Sequence, residues 1–330
     1  MELILSTSDG REEKEIFSDI DLEIGDENTF QITLDYPEWD GSLSYNKRIY
    51  VPGTEYGGII KDIEGATNTD QIFVRGYTWR GYLAHRIIEP PAGEDYRYIS
   101  GELNEAIDAV LTSVLGGSLS ALFHASSEST GVTLMNYRFN RYVDAAEGLT
   151  AMLASKGYRL NISYVQTETS GYVELSAQPA ENHGDIEISQ DTRLDFASQD
   201  YRMGINHLVC LGAGELSERV IIHLYADGAG NISQTQTITG MEEMVDTYDS
   251  PAADADILLE MGTERFKELL NFKKFEAAYK DIDNLDLPLG DTITGRDYIT
   301  GNIVTKPITR KIVRRENGLI TTEYKIEGEE

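Results

Sequence analysis

The stretch Arg48-Ile-Tyr-Val-Pro-Gly-Thr-Glu-Tyr-Gly-Gly-Ile-Ile-Lys-Asp-Ile63, followed after a turn by Gln71-Ile-Phe-Val-Arg-Gly-Tyr77, alternates apolar residues on both sides of a tight connection. A period of two reads as a strand, a turn and a second strand. The same pattern returns near the other end of the chain. It runs Gly301-Asn-Ile-Val-Thr-Lys-Pro-Ile-Thr-Arg-Lys-Ile-Val-Arg-Arg315, then an Asn317-Gly318 turn, then Leu319-Ile-Thr-Thr-Glu-Tyr-Lys-Ile-Glu-Gly328. A short strand with a Tyr-Ile or Ile-Tyr pair precedes each. A chain that builds a similar small barrel twice reads as an assembly part rather than an enzyme arranged around one pocket.

Working outward, the first ninety residues read as strands and turns, with Phe30-Gln-Ile-Thr-Leu34 alternating and Pro90-Pro91 closing the segment. Gly57-Gly58 inside a strand predicts a bulge or a close backbone approach. Leu103, Ile107, Val110, Leu111, Val114 and Leu115 recur at helical spacing, and Gly116-Gly117 end that run. A second helix is expected over Val143 to Lys156, with Gly157 just past its end. Strands at Tyr158–Tyr164 and Tyr172–Ser176 complete an α+β domain. Ile205 to Leu211 reads as a fully buried strand, and Glu218–Tyr225 as its neighbour. A third helix carries Ile257, Leu258, Met261 and Leu269 after Ser250-Pro251. Asn317-Gly318 predicts a type I′ hairpin. The expected fold class is α+β, mostly β: two similar small barrels with an α+β domain between them and a small helical insertion in the second. The expected divisions are a first barrel over 1–90, the α+β domain over 91–194, a discontinuous second barrel over 195–226 plus 272–330, and the insertion over 227–271.

Nineteen Tyr against nine Phe and two Trp fit a β-rich chain. Fifty-seven acidic and 28 basic side chains leave a formal charge of −29. This argues against a surface that grips nucleic acid, which needs a basic footprint. The lone Cys210 has no partner in the chain, so there is no disulfide framework, and a buried small apolar role is expected. Met1-Glu-Leu-Ile-Leu-Ser6 lacks the basic start and apolar run of a signal peptide. No apolar stretch reaches the roughly 18 residues of a membrane span. Synthesis and folding in the cytosol are expected.

Chemistry-bearing patterns are sparse. No carboxylate pair has a spacing that singles it out as a glycosidase pair. His85, His124, His183, His207 and His223 form no H-x-x-x-H or H-E-x-x-H motif. His207 and His223 lie in neighbouring expected strands and can approach each other, as hydrogen-bonded strand histidines. Cys210 and His207 are three apart on one strand and point to opposite faces, which rules out a Cys–His dyad. Gly212-Ala-Gly214 and Asp227-Gly-Ala-Gly-Asn231 complete no nucleotide-binding motif. Asp227 and Asn231 read as a hairpin turn before a calcium loop. Tyr77, Trp79 and Tyr82 read as core and interface before a sugar platform. The expectation is no catalytic residue, no cofactor and no metal site.

Several stretches together resemble the baseplate-hub proteins of tailed phages, particularly of siphophages and prophages, and are similar to the T-even hub with its two tube barrels. Gly53-Thr-Glu-Tyr-Gly-Gly-Ile-Ile60, Val74-Arg-Gly-Tyr77 and Arg80-Gly-Tyr-Leu83 look like the first barrel. Gly204–Glu215, Arg219–Ala226, Leu287-Pro-Leu-Gly-Asp291, Thr309–Val313 and Tyr324–Gly328 extend the resemblance over essentially the whole chain, through sparse patterns. It implies a homotrimer whose six barrels form a pseudo-sixfold ring, since cyclic heterologous contacts can imitate a hexamer. The ring would stack on a tail-tube or distal tail protein, present threefold symmetry to a spike or fibre, and let DNA pass without specific binding; part of the −29 charge would then line the lumen and repel the DNA. The implied place is the virion tail tip, after synthesis in the bacterial cytoplasm, with no membrane insertion. The last barrel strand ends near Glu330, so any wall-degrading activity is expected on another polypeptide or on residues beyond this sequence. Two other classes are carried: a carbohydrate-binding module of the tail tip, and an acidic-site polysaccharide or peptidoglycan hydrolase.

Overall fold

The computed structural model describes residues 2–188, 195–201, 203–270, 272–280, 286–296, 298, 301 and 303–329. The chain forms two compact units. One comprises Met1–Asp195, Ala277–Gly295 and Thr305–Ile326, and the other Phe196–Glu276, Arg296–Val304 and Glu327–Glu330.

The first unit begins with β1 (Leu3–Ser6), β2 (Glu12–Ile16), β3 (Asp19–Ile24), β4 (Thr29–Asp35), β5 (Arg48–Tyr50), β6 (Gly57–Ala66) and β7 (Gln71–Thr78). They lie in the order β3-β4-β7-β6-β5-β1-β2. The alternation expected from Phe30-Gln-Ile-Thr-Leu34 holds: Phe30, Ile32 and Leu34 pair opposite Gly76, Val74 and Ile72. Residues from all these strands, among them Leu3, Ile16, Leu22, Ile32, Ile49, Ile60 and Val74, share one core. A flat sheet cannot bring both its ends to one core, so this sheet curls. The close approach predicted for Gly57-Gly58 is present. A Cβ on Gly58 would lie 2.1 Å from the Tyr77 carbonyl oxygen and 2.9 Å from the buried Phe30 ring.

After β7, Thr78 caps the helix α1 (Trp79–Ala84), its hydroxyl accepting the Gly81 N–H at 3.2 Å. The sequence reading ran this segment on as extended chain. The next elements are β8 (Ile87–Ile88), β9 (Tyr98–Glu102), α2 (Leu103–Val114), β10 (Phe123–Ala125), β11 (Thr133–Arg138), β12 (Val143–Asp144), α3 (Ala145–Ala154), β13 (Tyr158–Gln166) and β14 (Gly171–Pro179). Both predicted helices are present, and α2 buries Leu103, Ile107, Val110 and Leu111 as its spacing required. β13 and β14 form the expected antiparallel pair, joined by β10. Their core reaches back to Ile4, Tyr50 and Ile59, so β1, β5 and β6 are covered on both faces. Tyr164 links the two layers by stacking on Tyr50 at 4.0 Å and on Trp79 at 5.3 Å between ring centres.

Beyond β15 (Asn182–Ile188), the strand β16 (Asp195–Tyr201) leads into the second unit. There β17 (His207–Leu211), β18 (Ile221–Ala226), β19 (Ile232–Ser233) and β20 (Val245–Asp249) form one sheet in the order β19-β18-β17-β20. The helix α4 (Ala255–Lys267) packs on it. Leu208, Cys210 and Leu224 meet Leu258 and Phe266 in a separate small core. Two expectations change here. β17 is buried on one face only, and the buried stripe of α4 is Leu258, Gly262 and Phe266, leaving Ile257 and Met261 half exposed.

The return strand β21 (Phe272–Lys280) neighbours β16, and β22 (Thr292–Arg296), β23 (Ile303–Glu316) and β24 (Leu319–Glu329) follow. β22 pairs with β23 and, in parallel, with β15. β23 and β24 form the predicted hairpin, with positive φ at both turn residues: 51° at Asn317 and 80° at Gly318. The pairing of β23 with β3 corrects the picture of two separate barrels. Because β23 occupies the edge of β3 that would have closed on β2, no closed barrel is found among the described residues. The strands at 207–226, expected within a second barrel, instead pair with each other and with β20. Residues 189–194 and 281–285, at the expected domain limits, lie outside the described residues.

Candidate assembly surface

The β3–β23 junction sorts the basic residues of Arg310-Lys-Ile-Val-Arg-Arg315 by strand parity. Arg310, Ile312 and Arg314 share the outer face with Glu23 and Asp21, while Lys311, Val313 and Arg315 share the inner face with Ile24, Leu22 and Ile20.

On the outer face a polar row crosses the sheet. Arg314 lies opposite Asp21, Asp21 opposite Gln31, Gln31 opposite Arg75, and Arg75 opposite Asp62. Side chains follow the same line. Arg314 Nε donates to Asp21 at 2.9 Å, and Arg75 donates to Gln31 at 2.7 Å, to Asp62 at 2.9 Å and to Glu64 at 2.7 Å. The carboxylate of Glu64 raises the Arg75 guanidinium above its usual value. Each exposed pair contributes at most about 1 kcal/mol, but together they fix register across the strands. Arg310, paired with Glu23, extends this face, and a shallow depression of about 660 Å³ runs along it.

The inner face holds two buried cations. Lys311 pairs with Asp286, donates to the Leu287 carbonyl at 3.2 Å, and lies about 5 Å from the ring centres of Tyr56 and Tyr324. Burial pushes its ammonium below the usual lysine value, against the pull of Asp286. Burial likewise pushes the Tyr56 phenol up, and its hydroxyl donates to Asp286 at 2.7 Å. Arg315 donates to the carbonyls of Ile16 at 2.9 Å and Ser18 at 2.6 Å. These cations bind the C-terminal hairpin to the first strands of the chain. The motif reading passed over them, although charged residues at both parities of one strand are a visible signal that both faces are occupied.

His207 Nε2 lies 2.9 Å from His223 Nδ1, and His207 Nδ1 lies 2.8 Å from Glu243. The expected approach of the two histidines is therefore real. Cys210 is buried on the α4 side, and burial raises its thiol. Asp227 accepts the N–H groups of Ala229 and Asn231, both at 2.9 Å, and its other oxygen takes the Asn231 amide, so it serves a turn. Trp79 and Tyr82 are buried in the α+β core and only Tyr77 reaches the surface, which leaves no aromatic platform there. His85 contacts the Tyr77 ring, and His124 the Tyr172 ring. Glu181, His183 and Asp291 bring possible metal ligands within 4.8 Å of one another. The buried Asp291 is already engaged, however: it accepts the Glu181 N–H at 3.0 Å, contacts His183 Nε2 at 2.9 Å, and lies 2.8 Å from Arg159 Nε. The guanidinium supplies the charge a cation would bring, and the trio fits an ion-paired anchor for β15 and β22. No helix among the described residues is long and apolar enough to cross a membrane.

No family model matches the chain, and no curated protein matches it. Solved structures do. The 43 kDa tail protein of prophage MuSo2 from Shewanella oneidensis aligns with a TM-score of 0.55 and 10% identity, covering 99% of this chain and 98% of that one. The tail protein from Neisseria meningitidis MC58 aligns at 0.51 and 12% identity, over 99% and 97%. A topological model of the p2 virion baseplate in its activated conformation aligns at 0.50 and 10% identity, over 98% of both chains. At such identities the likeness is one of fold. The chain has the fold of phage tail and baseplate proteins, as the resemblance read from its sequence implied.

Proposed function

We propose that this chain is a structural protein of a phage or prophage tail tip. Three copies form a pseudo-sixfold hub ring that joins the tail tube to a spike or fibre and lets DNA pass. The observation that carries this reading is the near end-to-end match, 97–99% of both chains, with two tail proteins and a baseplate component. Such a match leaves little of the chain for a separate catalytic domain.

Two features of the chain support the ring. Each half supplies a short strand followed by a long hairpin, β5 with β6–β7 and β22 with β23–β24. Two similar strand sets per chain give six positions from three chains. The halves are also held in fixed register by the β3–β23 ladder and by the buried Lys311 and Arg315. A ring part must transmit load without its halves shearing, and charge-assisted bonds to backbone carbonyls resist that. In this reading the excess of carboxylates repels passing DNA rather than binding it.

The test is to delete the coding sequence from its phage or prophage and to image the particles. Tails that fail to form, or tubes lacking a tip, are expected. Normal infectious tails would contradict the assignment.

A further inference from the structure

The curled sheet of β1–β7 ends in an open seam. β3 has given its outer edge to β23, and among the described residues β2 pairs only with β1. The backbone groups on the other edge of Glu12–Glu15 face this seam without a ladder partner, and their side chains are all exposed. Edges of this kind are templates for a further strand.

Beside the seam lies a cavity of about 250 Å³, lined by Ile16, Phe17, Leu34, Trp39, Ser42 and Leu43. Its floor is apolar, with Ile16 and Leu43 each 4% exposed and Leu34 7%. At its mouth Phe17 is 75% exposed. The lining also holds the carboxylates of Glu15, Glu38 and Asp40, with Lys14 beside them. The nearby ammonium groups are already engaged, Lys14 with Asp40 and Lys47 with Glu13.

We infer that β2 accepts an extended basic segment of another protein, which adds as a strand along Glu12–Glu15 and seats one large apolar side chain in the cavity. The strand edge supplies backbone hydrogen bonds, the cavity selects the side chain, and the carboxylate rim selects lysine or arginine on the neighbouring positions. A closed barrel would offer no such edge. The open seam, which corrects the expected barrel, is therefore what makes the site. The inference does not depend on the assignment to a phage tail.

The probe is a synthetic heptapeptide with blocked ends, alternating lysine with valine and carrying phenylalanine at its centre. Titration against the full chain should give saturable binding, with slowed hydrogen exchange at the Glu12–Glu15 amides. Replacing the central phenylalanine by alanine should weaken binding about tenfold, as loss of a buried aromatic ring implies. N-methylation at the lysine positions and at the apolar positions should differ, because only one series of amides faces the edge. Loss of binding in one series alone supports strand addition. Equal binding of both methylated peptides, protection elsewhere than β2, absence of binding, or self-association of the chain through β2 would each overturn it.

Discussion

Arg315 donates to the carbonyl of Ser18 at 2.6 Å, across almost the whole length of the chain. It sits at the end of the β3–β23 ladder, where β2 gives way to β3, and also holds the Ile16 carbonyl at 2.9 Å. Replacing it with alanine strands two carbonyls at the seam. We expect Arg315→Ala to lower stability by about 2 kcal/mol, read as a shift of the urea midpoint. Arg315→Lys should recover only part of this, because an ammonium cannot reproduce the planar fork.

Gly58 and Gly76 face the Phe30 ring, and a Cβ on Gly58 would lie 2.1 Å from the Tyr77 carbonyl oxygen. Gly58→Ala should therefore separate β6 from β7 and cost about 3 kcal/mol in chemical denaturation. Gly53 has nothing within 4 Å of its would-be Cβ, so Gly53→Asn, which tolerates its φ of 69°, should change little.

Lys311 gives a pH signature. Its folded value is lowered below 10.5 by burial, so between that value and 10.5 the unfolded chain binds more protons than the folded one. Stability should rise with pH through that window. The Tyr56 phenol, raised above 10.0 by burial, acts in the opposite sense, and its contribution should fall as pH passes 10. Urea unfolding at intervals from pH 7 upward should show the rise in the native protein and lose it in Lys311→Met. Asp286 is largely exposed, so that variant strands no buried charge.

Cys210 is fully buried between β17 and α4, and burial disfavours its thiolate. A thiol reagent should leave the native protein unlabelled and react at once in denaturant. Slow native labelling would then report opening of the β17–β20 sheet, and Phe266→Ala, which removes the facing ring, should accelerate it.

Much of this fold was legible locally. Alternation in Phe30–Leu34, helical spacing from Leu103 to Leu111 and the Asn317-Gly318 turn each depend on neighbours in sequence, and each appears as read. The His207–His223 approach was legible for the same reason, since both lie at outward positions of adjacent strands. Partner choice was not. A strand pattern states which face is buried but not which strand lies beside it. The β3–β23 pairing and the separate sheet containing β17 and β18 therefore had to be seen. α1 was hidden because Trp79 and Tyr82 carry β-favouring aromatic character, and only the Thr78 cap marks the start of a helix. The inward charges Lys311 and Arg315 were unreadable as a site because their acceptors, Asp286, Ile16 and Ser18, come from distant segments.

The central claim is a ring of three chains that imitates six. Cryo-electron microscopy of the tail tip containing this protein tests it most directly. The account predicts three copies around a threefold axis, with β5–β7 and β22–β24 alternating at six similar positions. Six copies each contributing one equivalent position, or a location on a lateral fibre away from the axis, would contradict it.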